Sequence, residues 1–249
     1  IDALKVTKVE DIWMIGRMIS SKLKAKGIFT AYDLSNVSYS WVRDNFSVVL
    51  EKTVYELQGQ KCIPLEIKPK NNQHIASQKS FGHFQTEYEP IAEALANYVA
   101  RVAEKLRKQN SVAGGIDVWL GTNTFSKTDT QYFPRVSTRC DIPTDYTPHL
   151  IKRASEALKS IYKSGFKYKQ VGIMLTDIRP KYDGTLNLFH QVEREKQDKV
   201  IYQLDRINMI NGRDTLRSAQ QGFSPTWKMK QQHLSRKYTT KLSDIIEIN

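Results

Sequence analysis

The sequence predicts an α+β chain in three parts. A small all-helical domain comes first, then a β-α-β-β-α-β domain with a four-stranded sheet and two helices on one face, then a partly helical tail. Three observations carry this. Residues 1–61 repeat apolar side chains at helical spacing only. Residues 73–178 switch between helical stripes and strict alternation, in the order strand, helix, strand, strand, helix, strand. Residues 179–249 hold one further helical stripe and then a basic stretch dotted with aromatics.

The first helical region, VEDIWMIGRMISSKLKAKGIFTAYDL, spaces Ile12, Ile15, Ile19 and Leu23 three and four residues apart. Gly16 breaks it early and Gly27 stops it. The next run, SWVRDNFSVVLEKTVYELQG, places Trp41, Phe46, Val49, Leu50, Val54 and Leu57 on one broad face and ends at Gly59. Pro64 and KPKNNQ read as a linker. The boundaries expected are therefore 1–68 for the helical domain, 69–72 for the linker, 73–178 for the mixed domain and 179–249 for the tail.

In the mixed domain HIASQKSFG is strand-like, and EPIAEALANYVARVAEKLRKQ carries a helical stripe of Ile91, Leu95, Tyr98, Val99, Val102 and Leu106. GGIDVWLGTN alternates at Ile116, Val118 and Leu120. YFPRVSTRCDI alternates again, with Arg135, Ser137 and Arg139 on one side and Val136, Thr138 and Cys140 on the other. TPHLIKRASEALKSIYKSG is a helix with Thr147 as N-cap, Pro148 in the first turn and Gly165 past its end. KYKQVGIMLTDI is the last strand. In the tail, EKQDKVIYQLDRINMING predicts a helix with Val200, Leu204 and Ile207 on one face and a stop at Asn211–Gly212.

The chain has 249 residues and a formal net charge of +12, which biases its partners toward polyanions, nucleic acid first. The acids are interleaved with the bases, as in EREKQDK, so the charge belongs to folded faces rather than to a disordered tail. Cys62 and Cys140 make neither a disulfide framework nor a metal pair, which fits a reducing, cytoplasmic setting. No apolar run approaches the roughly 18 residues of a membrane span. The start has no secretory signal pattern and no initiator Met, so the chain is expected to begin inside a longer protein.

Four stretches carry candidate function. IWMIGRMISSKLKAKGI reads as a helix-hairpin-helix, in which Ile15, Gly16 and Arg17 present a helix N-terminus to a phosphate; an ordinary helical hairpin is the alternative. Lys79, Ser80, Arg135, Ser137, Arg139 and Lys169 lie on strands or strand ends and form a candidate basic sheet face for DNA, against a plain solvated face. Ile75 and Phe81 share the parity of Lys79, which leaves its facing open. GTLNLFH leaves Leu186, Leu188 and Phe189 in a polar connector, where they are expected either to dock into a partner's groove or to pack locally. WKMKQQHLSRKYTTKL interleaves aromatics with bases and suits nucleic acid, a small lobe or a partner strip. The five histidines stand alone, and no HExxH, P-loop, nucleophile elbow or paired acids for a two-metal centre appear, so no catalytic residue and no cofactor is expected in this chain.

In order and over essentially the whole chain, VEDIWMIGRMISSKL, NFSVVLEKTVYELQG, QKSFG, TLNLF and WKMKQQHLSRKYTTKLSDII resemble the C-terminal part of the UmuC branch of the Y-family translesion DNA polymerases. The resemblance implies that 1–68 is a thumb, 73–178 a little finger and 179–249 the extension of this branch. It also implies that the palm, whose carboxylates bind magnesium, precedes this sequence, so that the chain alone is not expected to polymerise DNA. TLNLF is similar to the clamp-binding peptide Gln-Leu-(Ser/Asp)-Leu-Phe: Leu186, Leu188 and Phe189 match its anchors, Asn187 its middle residue, and Thr185 stands where Gln is usual. Gly16 matches the retained turn glycine of the thumb hairpin, whereas Met14 departs from it. Lys79 stands where SRSFG has Arg. The partners implied are primer-template DNA held without sequence preference, the β sliding clamp, the processed UmuD dimer and the RecA filament, in SOS lesion bypass. The alternative is a module that recruits clamp, RecA or UmuD, with DNA binding incidental.

Overall fold

The protein is described by a computed structural model covering residues 1–65, 70–181, 191–223, 225–229 and 234–245, with residues 191–193 described by their backbone alone. The expected clamp peptide, Thr185 to Phe189, lies outside the described residues. The α+β expectation holds: helices come first, and a four-stranded antiparallel sheet with its own helices follows. Two compact units form, Ile1–Lys70 and Asn71–Asn249. No helix among the described residues is long and apolar enough to cross a membrane.

In the first unit α1 (Asp2–Val6) buries no residue, and α2 (Arg17–Lys24), α3 (Ala31–Ser35), α4 (Tyr39–Asn45) and α5 (Val48–Leu57) close around Val9, Ile15, Leu23, Ile28, Leu34, Val42, Leu50 and Val54. The predicted stripe of Ile12, Ile15, Ile19 and Leu23 all joins this core. The next run is two helices rather than one. Ser47 accepts a hydrogen bond from the Leu50 N–H and starts α5 two residues after α4 ends. The break keeps Leu50 and Val54 inside and turns Val49 outward, to 50% exposure, so Val49 leaves the predicted face. A reciprocal cap between Thr30 and Asp33 starts α3, and the backbone and hydroxyl of Thr30 hold the Asp33 carboxyl below its usual pKa.

In the second unit β1 (Ile75–Gln85), α6 (Tyr88–Lys108), β2 (Ser111–Gly121), β3 (Arg135–Thr144), α7 (Thr147–Ile161), β4 (Tyr168–Pro180) and α8 (Gln191–Ile210) follow one another. The strands lie in the order β1-β4-β2-β3, every neighbour antiparallel. Each helical crossover therefore skips one strand. α6 packs on β1 and β4, and α7 on β2 and β3. One face of the sheet supplies Ile116, Val118 and Leu120 from β2 and Val171, Ile173 and Leu175 from β4 to the core; α6 supplies Ile91, Leu95, Val99 and Leu106, and α7 supplies Leu150, Ile151 and Leu158. Among the described residues no helix packs on the other face.

Two helix details differ from the sequence reading. Thr147 is the first helical residue of α7, not its cap, because its hydroxyl accepts from Arg107 Nη1 at 3.0 Å. Among the described side chains of α8 the fully buried one is Ile201, 4% exposed; of the predicted stripe Leu204 and Ile207 are half-buried and Val200 is 58% exposed. Ion pairs set that face. Arg107 grips Asp205 with two bonds, Nε to Oδ2 at 2.6 Å and Nη2 to Oδ1 at 2.7 Å. Lys181 bridges Asp145 at 2.7 Å and Asp198 at 2.8 Å. Burial alone would lower the pKa of the Lys181 ammonium, but hydrogen bonds to its two carboxylates outweigh this and raise it above the ordinary lysine value.

Beyond α8, Gly212 has a positive φ of 98°, a backbone turn that suits glycine and follows the end of the helix. The chain then crosses α6, where Asn97 Nδ2 donates to the Gln221 carbonyl at 2.7 Å. Trp227, 5% exposed, enters the sheet's own core and meets Tyr98 edge-on at 5.7 Å. Its Nε1 donates to Glu93 at 2.9 Å, and its carbonyl accepts from the Gly82 N–H at 3.1 Å, which covers part of the β1 edge. Trp227 is thus a core plug, and of the tail's aromatics it is not available to stack on bases.

Candidate nucleic-acid interface

The first candidate is the turn before α2. Met14 sits in the left-handed region at φ 72°, the conformation for which a glycine is usual. Ile15 is buried in the helical core, and its N–H donates to the Ile12 carbonyl at 3.1 Å, so it anchors the turn rather than meeting a ligand. Gly16 is the N-cap, at an ordinary φ of −84°, with nothing within 4 Å of the position a Cβ would take. Among the described residues no side chain caps α2. Its first-turn amides thus lack a side-chain partner among the described residues, and the exposed Arg17 stands at the positive end of the helix, an arrangement that can hold an anion through backbone donors.

The second candidate is the open face of the sheet. Cross-strand register puts Arg135 beside Trp119, Ser137 beside Asp117 and Arg139 beside Gly115. Across the sheet Trp119 neighbours Gly172, Asp117 neighbours Met174, and Ser80 neighbours Gln170. Directly paired residues share a face. Arg135, Ser137 and Arg139 therefore share one face, as the alternation of β3 predicts, and all three are exposed; Ser80, half-buried, is on the same face at the opposite edge of the sheet.

Lys79 and Lys169 do not join them. Lys79 pairs with Val171, a core residue, and so projects from the helix side of an edge strand. Lys169 donates to the Phe81 carbonyl at 3.0 Å and lies over the Phe84 ring, tied to β1 rather than presented on the face. Arg135 is itself partnered: its Nη2 donates to Asp117 at 2.5 Å, and its guanidinium lies 5.6 Å from the centre of the Trp119 ring. That cover explains why Asp117 is buried on an otherwise open face. Arg139 is exposed and makes no ion pair among the described residues.

Sequence reasoning missed Trp119, Gln78 and Gln170. The indole Nε1 donates to Gln78 Oε1 at 2.8 Å, and Gln78 Nε2 donates to Gln170 Oε1 at 2.8 Å. A Cβ at Gly172 would sit 2.2 Å from two carbons of the indole, so Trp119 lies directly on that glycine. The available signal was a glycine inside a strand, which marks a close approach.

Asp117, Asp141, Asp145, Asp177 and Asp198 each pair with an Arg or Lys, and among the described residues no group of three or more His, Cys, Asp and Glu comes together as an ion would need.

Comparison with known proteins finds relatives along the chain. Residues 72–188 match the C-terminal domain of the impB/mucB/samB family, and residues 198–248 match a domain of unknown function, DUF4113. Protein SamB of Salmonella typhimurium is 40% identical over 243 residues, covering 97% of this chain and 57% of that relative. Protein UmuC of Salmonella typhimurium strain LT2 is 38% identical over 246 residues, covering 98% and 58%. Protein MucB of Escherichia coli is 32% identical over 238 residues, covering 95% and 56%. The chain thus spans somewhat over half the length of these curated relatives.

Proposed function

Residues 72–188 belong to the impB/mucB/samB C-terminal domain family, and from that premise we propose that this chain is the DNA-holding region of an error-prone, Y-family translesion polymerase. The observation that carries the reading is the helix-free sheet face on which Arg135, Ser137 and Arg139 stand in one row. Cations in a row along a flat strand suit a sugar-phosphate backbone and read no bases, which is the holding mode a damaged template requires. The bare N-terminus of α2 with Arg17 supports the same mode on the first unit. Nucleotide addition, with its magnesium, belongs in this reading to parts of the relatives outside the match, and the protein works in the cytoplasm during SOS lesion bypass. Thr185, Leu186, Asn187, Leu188 and Phe189 tether it to the β sliding clamp, and the extension meets the processed UmuD dimer and the RecA filament.

The test is fluorescence anisotropy with a labelled primer-template duplex over a salt series. Arg135→Glu with Arg139→Glu should weaken binding equally on unrelated sequences and lower the salt slope by about 2. A sequence-selective loss contradicts backbone holding. Leu188→Ala or Phe189→Ala should abolish clamp capture and spare duplex affinity; unchanged capture ends the tether assignment. A second reading, a recruitment module, draws on the exposed Tyr202, Met209 and Ile210 of α8. Clamp binding without measurable duplex affinity would select it.

A further inference from the structure

The geometry points to Trp119 as a positioning residue for a DNA phosphate held at Arg135. The inference rests on the proposed function and adds a part to it. Arg135 reaches out from β3 with its side chain 54% exposed, a state in which an arginine ordinarily samples many rotamers. Here two contacts restrict it. Asp117 takes one donor of Nη2 from the flank, and the Trp119 ring lies alongside the guanidinium. Only part of the guanidinium's five-donor set is used by Asp117, so donors remain for a phosphate.

Trp119 can do this because it is itself fixed. Its indole rests on Gly172, where any side chain would occupy the space of the ring. Its Nε1 is tied to Gln78, and Gln78 to Gln170, so a single file of contacts crosses all four strands, from Gln78 on β1 through Gln170 and Gly172 on β4 and Trp119 on β2 to Arg135 on β3. A glycine, two amides and an indole arranged to steady one arginine have no evident use in the hydrophobic core, which lies on the opposite face. They are what a preorganised phosphate ligand requires: the ordering of the arginine is complete before DNA arrives.

This assigns the roles unequally, which makes them separable. Arg135 supplies charge and hydrogen bonds, and its loss should lower the salt slope by about 1. Trp119 supplies order. Its loss leaves the cation in place, so the slope stays while affinity falls by about threefold to tenfold, the ordering cost of one long side chain.

The experiment is a double-mutant cycle on the full chain, read by duplex anisotropy at several salt concentrations. Trp119→Ala and Arg135→Ala are compared singly and together, with thermal melts to confirm folding. Gly172→Ala, which lifts the indole without removing it, and Trp119→Phe, which keeps a ring but loses the Nε1 bond, serve as second and third variants. The expected result is a loss from Trp119→Ala and Gly172→Ala at constant slope, partial recovery in Trp119→Phe, and no further loss when Trp119→Ala is added to Arg135→Ala. Full affinity in both Trp119→Ala and Gly172→Ala overturns the inference. So does an undiminished effect of Trp119→Ala in the Arg135→Ala background, since Trp119 would then act on its own. If the unaltered chain shows no salt-dependent duplex binding, the proposed function fails, and this inference fails with it.

Discussion

Replacing Trp227 with alanine should show how firmly the extension belongs to the sheet-bearing unit. The side chain is 5% exposed, sits in the core cluster, touches Tyr98 edge-on and donates to Glu93. Truncating a buried tryptophan costs about 3–5 kcal/mol, the sum of lost transfer energy and the cavity left behind. In a unit of this size each kcal/mol moves the midpoint by about 2–4 °C, so the melting temperature should fall by roughly 10 °C. Circular dichroism reports the melt, and hydrogen exchange locates it. The Gly82 amide, which donates to the Trp227 carbonyl, should lose protection first. Trp227→Phe keeps an aromatic ring near Tyr98 but gives up the bond to Glu93 and should cost only about 1–2 kcal/mol. An unchanged melt in Trp227→Ala, with Gly82 still protected, would refute the claim that this tryptophan plugs the core.

Met14→Gly should stabilise the first unit by about 0.5–1 kcal/mol, because the left-handed backbone at φ 72° costs an L-residue about 1–2 kcal/mol and glycine's added chain entropy returns only part of that; slower hydrogen exchange in α2–α5 is the readout. Tyr98→Phe should stabilise the second unit by about 1 kcal/mol in denaturant melts, since the buried hydroxyl has no partner among the described residues and burial pushes its pKa up to about 12. Lys181→Ala should destabilise by about 3 kcal/mol, because it leaves the buried Asp145 facing no ammonium. The folded pKa of Lys181 is raised, so its contribution is complete below about 10.5, the unfolded value, and fades as pH climbs through the higher folded one. Melts at rising alkaline pH should therefore lose stability in the unaltered chain and much less in Lys181→Ala.

Period and parity made much of this molecule readable. The two-residue repeat of YFPRVSTRCDI placed Arg135, Ser137 and Arg139 on one side because a strand has only two sides. The same rule could not orient Lys79, whose strand mixes Ile75 and Phe81 with exposed neighbours; only its pairing with Val171 decides. On α8 the stripe alone did not show which residue is most buried: Leu204 and Ile207 are half-buried and Val200 exposed, while Ile201 packs inside beside the ion pairs of Asp198 and Asp205. Trp119 and Trp227 depend on Gly172, Glu93 and Gly82, all remote in sequence, and no local pattern announces such contacts.

The way α8 is fastened has a consequence for protein engineering. Besides the buried Ile201, α8 is fastened by matched charges, and a joint of that kind cannot be moved between relatives by keeping the apolar contact alone. Arg107 with Asp205, Lys181 with Asp145 and Asp198, and Arg101 with Asp214 form a keyed joint whose two halves lie on different segments of the chain. Grafting this extension onto a relative's sheet-bearing unit should succeed only when the host carries the cognate teeth, and chimeras that swap one half alone should shed α8 while leaving the sheet folded.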